Sequence, residues 1–318
     1  MRRLTLLWGI ICMLLTAASA AAIADERIIF NSVPSPLPPN VASEGPEAYA
    51  YREIGDAIVF PQGTGGTLTS VTVVMSSWGC ASGTWFTPGT CVTNPKGATF
   101  SQPITMNIYA VDNTNPAKPK AGALLATVAQ TFDIPYRPSS DTVHCDGTAW
   151  FNPKDGQCYH GLAKAITFDF AGKHLSLPSQ ILVGIAFNST HYGPSPLGES
   201  KACFHTPQGC PYDSLNVSTD GDVFFGSGTA SSVRDPNGIF FNYVINSGPP
   251  NTCNATTPTG TLADDTTPSN GEPATETCFT GYHPELIIRA KCGADDQPLC
   301  PAVIGGQVKS DDDHHDDN

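Results

Sequence analysis

Thr67-Leu68-Thr69-Ser70-Val71-Thr72-Val73-Val74-Met75-Ser76-Ser77-Trp78 is the stretch from which the fold is read. Val71, Val73 and Met75 fall on one face and Thr72 and Val74 on the other, the period of two that marks a strand with one face on a core. The same period runs through Ile104, Met106, Ile108 and Ala110, through Leu124, Ala126 and Val128, and on to Phe132, which reads as part of a following strand. Residues 112–119, between the first two of these, have turn composition. Further short apolar runs at 27–30, 57–60, 166–170, 181–187, 214–217, 223–225, 239–244 and 286–290 read as strands, with Glu53-Ile54-Gly55-Asp56 leading into the second. The run 181–187 is apolar on both faces and so predicts a central, covered strand. No window combines helical spacing with caps, and 30 Gly and 28 Pro punctuate the runs. The chain therefore predicts an all-β fold, a β-sandwich or jelly roll.

Directly after the first stretch comes a cysteine-bounded loop that occurs twice. Cys80-Ala-Ser-Gly-Thr-Trp85-Phe86-Thr-Pro88-Gly89-Thr-Cys91 and Cys145-Asp-Gly-Thr-Ala-Trp150-Phe151-Asn-Pro153-Lys-Asp-Gly156-Gln-Cys158 share Cys, four residues, Trp-Phe, one residue and Pro, then close on Gly-x-Cys. Only Lys154-Asp155 is inserted in the second. Cys203 to Cys210 is a shorter version that keeps an aromatic, a Pro and a Gly. Neighbour pairing predicts five disulfides: Cys80–Cys91, Cys145–Cys158, Cys203–Cys210, Cys253–Cys278 and Cys292–Cys300. The first three close hairpin tips.

Arg2 and Arg3 before an apolar run, then Ala-x-Ala patterns, predict a signal peptide over 1–24. Its removal takes Cys12 with it and leaves an even number of cysteines, suited to a secreted or cell-envelope location where disulfides persist. The formal net charge of −13 becomes more negative without the two arginines. That acidity argues against nucleic acid and anionic membranes as partners, and no later run has the length of a membrane span. Residues 25–293 read as one β-sandwich domain interrupted by a Thr/Pro-rich excursion at 246–277, and 294–318 as a disordered acidic tail.

Enzyme signatures are missing. There is no Gly-x-Ser-x-Gly elbow, His-Glu-x-x-His motif or phosphate-cradling loop. Tyr212-Asp213-Ser214-Leu215 lacks the Gly of an Asp-Ser-Leu lipase signature and lies mid-chain. Glu53, Asp56, Glu199, Asp213 and Glu285 supply carboxylates for glycoside hydrolysis, but nothing in the sequence sets two of them face to face. Asp220-Gly221-Asp222 is a candidate structural calcium site. The better handle is aromatic: Trp85, Phe86, Trp150, Phe151, Tyr159, His191 and Tyr192 lie in or beside loops, where flat rings stack on sugars. The competing reading is that each Trp folds back as a cap on the core.

Pro34-Ser-Pro-Leu-Pro-Pro-Asn40, Glu53-Ile-Gly-Asp56, Tyr136-Arg-Pro-Ser139, Val183-Gly-Ile-Ala-Phe-Asn188 with Thr190-His-Tyr-Gly193, and Pro211-Tyr-Asp-Ser-Leu-Asn-Val217 together resemble a family of secreted bacterial all-β proteins, some with C-terminal surface-sorting segments. The resemblance covers about 27–290 and implies an extracellular or envelope location without an activity. An acidic tail stands where a sorting segment would be. The sequence thus points to a secreted, non-enzymatic sandwich that binds extracellular polysaccharide or an envelope component. A secreted glycoside hydrolase and a purely structural envelope protein are the alternatives.

Overall fold

The structure, a computed structural model, describes residues 25–46, 51–60, 66–116, 119–187, 215–219, 239–243, 260–264 and 283–292. In chain order its strands are β1 (Asp25–Asn31), β2 (Ser43–Glu44), β3 (Tyr51–Val59), β4 (Thr67–Ser77), β5 (Thr99–Asp112), β6 (Lys120–Pro135) and β7 (Trp150–Asn152). There follow β8 (Gln157–Tyr159), β9 (Leu162–Asp169), β10 (Gln180–Ala186), β11 (Leu215–Ser218), β12 (Phe240–Tyr243), β13 (Ala263–Asp264) and β14 (Leu286–Cys292).

The alternating stretch that decides the fold is the axis of the first sheet. β4 pairs antiparallel with β9 along Ser70–Ser77, with β14 along Thr67–Val73 and with β11 at Met75–Ser77, while β1 adds to β14 and β2 to β11. The second sheet runs β6-β5-β10-β3-β12, and β13 joins β12 to Lys120 of β6, closing that sheet on itself.

Alternation places the core. Val71, Val73 and Met75 of the first sheet pack with Ile104, Met106, Ile108, Ile181, Val183 and Ile185 of the second in the main buried layer. β10 lies between β3 and β5 and is apolar on both faces, as its sequence requires: Leu182 turns away from the main layer to join Ala57, Phe240 and Leu262 in a smaller cluster inside the closed sheet. Gly55 is needed there, because a Cβ would run into the Val183 carbonyl and Leu262. On the outer face of the first sheet, Val74 is covered by Val33 and Val41, which flank the proline-rich segment. Ala163 N–H donates to the Pro39 carbonyl, so residues that cannot join a ladder as donors still cover a sheet face.

Three features differ from the sequence reading. Leu124–Val128 and Phe132 belong to one strand, β6, exposed on much of both faces, so its period is blurred. Register shifts at Ile108/Tyr109 and Tyr109/Val111 break the alternation further. Within the stretch 246–277, Leu262 is buried and Ala263–Asp264 close the second sheet. The strand at 223–225, the signal peptide 1–24, the remainder of 246–277 and the tail 294–318 lie outside the described residues.

Candidate functional site

Both Trp-Phe loops leave one end of the sandwich. The first joins β4 to β5, and the second joins β6 to β9. In the first, Ser82 and Val92 exchange two backbone hydrogen bonds (3.0 and 2.9 Å) beside the Cys80–Cys91 disulfide. In the second, β7 and β8 form a short hairpin closed by Cys145–Cys158. Its turn is built by Asn152 and Asp155, whose side chains accept the Lys154 and Gln157 N–H groups, and by Gly156 at φ 72°.

The loops are bound to each other. Gly89 N–H donates to the Gly147 carbonyl at 2.8 Å, and Ser140 N–H to the Cys91 carbonyl at 2.9 Å. Beneath them Arg137 is fully buried: its N–H reaches the Gly79 carbonyl, its carbonyl accepts from Thr93 Oγ1, and its Nη2 donates to the Thr148 carbonyl at 2.6 Å. One arginine thus spans both loops.

Above it lies a cluster of rings. Trp78 stands edge-on to Trp85 at 4.8 Å and stacks on His160 at 5.6 Å, while Phe86 stands edge-on to Trp85 at 5.9 Å. Trp78 is held from below, its Nε1 donating to Ser76 Oγ, which donates in turn to Asn40 Oδ1 of the proline-rich segment. Burial, reinforced by the Arg137 charge and opposed by Asp146, holds the His160 pKa below its ordinary value, which favours a neutral ring in the stack. Phe151 stacks on His144 at 4.4 Å, and His144 Nδ1 lies 3.1 Å from Asp141 Oδ2.

The two tryptophans differ. Trp150 is only 6% exposed, packs on Tyr159 and donates Nε1 to the Gly161 carbonyl at 2.8 Å. Trp85 is half-buried, and Phe86 is 42% exposed. Phe151 and Tyr159 are half-buried as well. Trp78, His144, His160 and Arg137 were not legible as members of this end. The available signals were that Trp78 precedes Cys80 by two residues and that His160 follows Tyr159.

Among the described residues, Glu53 and Asp56 do not face each other. Glu53 and Asp56, three apart on β3, point to opposite faces of the strand. Glu53 accepts from Asn107 Nδ2 at 2.8 Å and Tyr109 OH at 2.9 Å, and burial together with Glu53 pushes the Tyr109 pKa up. Asp56 is buried with His283, Nδ1 lying 3.5 Å from Oδ1. Glu285 is also buried, and its N–H donates to Ser218 Oγ. Glu199, Asp213, His191, Tyr192 and the calcium candidates Asp220 and Asp222 lie outside the described residues, as do Cys203, Cys210, Cys253, Cys278 and Cys300, the cysteines of the other proposed disulfides apart from Cys292 at the end of β14. Among the described residues no group of three His, Cys, Asp or Glu side chains is placed to hold a metal ion.

Burial raises the Asp56 pKa, and His283 opposes the shift without reversing it. An acid with a raised folded pKa contributes stability that is fully present below its unfolded pKa, near 3.9, and is lost as pH rises through the folded value. Relative to Asp56→Asn, the wild type should therefore lose melting temperature as pH climbs from about 4. Thermal scans of both proteins across pH check this, and parallel curves would refute it.

These features define a class: an all-β sandwich, disulfide-stapled at one end, where two joined loops carry a ring cluster. No protein-family model, curated protein or solved structure matches the chain.

Proposed function

We propose that the protein is an extracellular or cell-envelope, non-enzymatic sandwich that binds carbohydrate on the loop end carrying Trp85, Phe86 and Phe151. The observation that carries this reading is the joining of the two loops through Gly89 and Gly147, which sets Phe86 and Trp85 on the same end as the Phe151–His144 stack. Rings held by a disulfide and by each other lose little freedom on contact with a sugar face, so more of the stacking energy appears as affinity. The two disulfides suit an oxidising compartment. Among the described residues no helix is long and apolar enough to cross a membrane. The resemblance to secreted bacterial proteins supports the same location.

Affinity electrophoresis through gels containing β-glucan, xylan, mannan or chitin derivatives tests the reading. The wild type should be retarded by at least one of these polymers. Phe86→Ala combined with Trp85→Ala should weaken that retention by roughly tenfold or more, since each ring contact contributes about 0.5–1.5 kcal/mol beyond its buried area. Free migration of the wild type in every gel would reject carbohydrate and leave a structural envelope role. Retention unchanged in the double variant would move the site elsewhere.

A further inference from the structure

β6 has an unusual edge. It is 16 residues long and pairs with β5 along one side, whereas on its other side the only pairing among the described residues is Lys120 with Ala263. Natural sheets blunt such edges with short strands, lysines or prolines. Here none of the residues from Ala121 to Phe132 is charged, although the chain carries −13 overall. Leu124 and Leu125, at the bulge, are 52% and 36% exposed. Beyond them the register with β5 is unbroken from Ala126 to Pro135, so the strand is regular along the edge that no other described strand covers.

We propose that this edge pairs antiparallel with β6 of a second copy of the chain about a two-fold axis, joining the two second sheets into one. A bare strand edge asks for another strand, because about half its N–H and C=O groups point outward. The occupant must match it in length and meet it without repulsion. A second copy does both. In a symmetric register centred between Val128 and Gln130, Asp133 faces a residue between Ala123 and Thr127, all uncharged, while Lys120 stays paired with Ala263. No two like charges are opposed along this edge. The pairing is also closed: each copy uses its edge once, and β13 already occupies the other end of the sheet, so two copies finish the assembly. An edge of about 45 Å, roughly 10 Å deep, buries about 900 Å² in all, in the range of reversible complexes.

Sedimentation velocity of the purified protein over a concentration series tests this. The wild type should move from monomer to dimer by tens of micromolar. Ala129→Lys and Ala129→Glu, both near the axis on an exposed position, should each be monomeric with an unchanged melting temperature, and an equimolar mixture of the two should recover the dimer. A wild type that stays monomeric throughout overturns the proposal. So does a dimer untouched by both charges, which would place the interface elsewhere, and so does open-ended growth, which would deny the two-fold closure.

Discussion

Trp150→Ala should destabilise the protein by about 3–5 kcal/mol, the range for removing a buried large aromatic. The indole is buried, lies against Tyr159 at 5.4 Å and donates to the Gly161 carbonyl. Truncation removes that apolar area, leaves a cavity beneath a three-residue hairpin strand, and takes the donor from a buried carbonyl. Trp150→Phe separates the contributions: it keeps most of the ring and should lose about 1–3 kcal/mol, chiefly the hydrogen bond. Urea unfolding monitored by far-UV circular dichroism gives both values. Trp85→Ala is the control, because Trp85 is half-buried in a loop and its loss should cost distinctly less. If Trp150→Ala unfolded at the wild-type midpoint, the buried ring would contribute nothing to the fold.

The contrast between these two tryptophans marks how far the sequence could be read. The repeat Cys-x4-Trp-Phe-x-Pro makes Trp85 and Trp150 look equivalent, and by local chemistry they are. Their burial is decided beyond the shared Pro, where the two loops diverge. Lys154-Asp155 gives the second loop the length for a true hairpin turn, and that hairpin turns Trp150 onto Gly161. The first loop has a single bridge between Ser82 and Val92, and Trp85 leans on Trp78 and His160 instead. Elsewhere, β4 and β5 were legible because their alternation spans enough residues to define a face, and β10 because its run is apolar on both faces. β2 and β13 have two residues each, too few for any period, and they form because longer strands present an edge to them. The split of Glu53 from Asp56 follows from strand geometry alone once β3 is known to begin at Tyr51, ahead of the apolar run that signalled it. The meeting of the loops through Gly89 and Gly147 had no local signal, since it depends on where β4 and β6 end relative to each other.

Removing the disulfides one at a time should separate loop closure from burial. Cys80 and Cys91 are 11 residues apart, and Cys145 and Cys158 are 13 apart, so the chain-entropy contribution is about 3 kcal/mol for either bridge. Their surroundings differ: Cys80 and Cys91 are both buried beside the Arg137 contacts, while Cys158 is exposed. Cys80→Ala with Cys91→Ala should therefore cost more than Cys145→Ala with Cys158→Ala, because the first change also strips buried sulfur from the base of both loops. The same difference orders the chemistry. Limited thiol reductant should open Cys145–Cys158 first, since exchange requires a thiolate to reach a sulfur. Alkylation and peptide mapping along a reduction time course, beside urea unfolding of the two double variants, read both effects. Equal losses with simultaneous reduction would mean that the buried bridge contributes nothing beyond closing its loop, and Arg137 would then be left as the chief tie between the two loops.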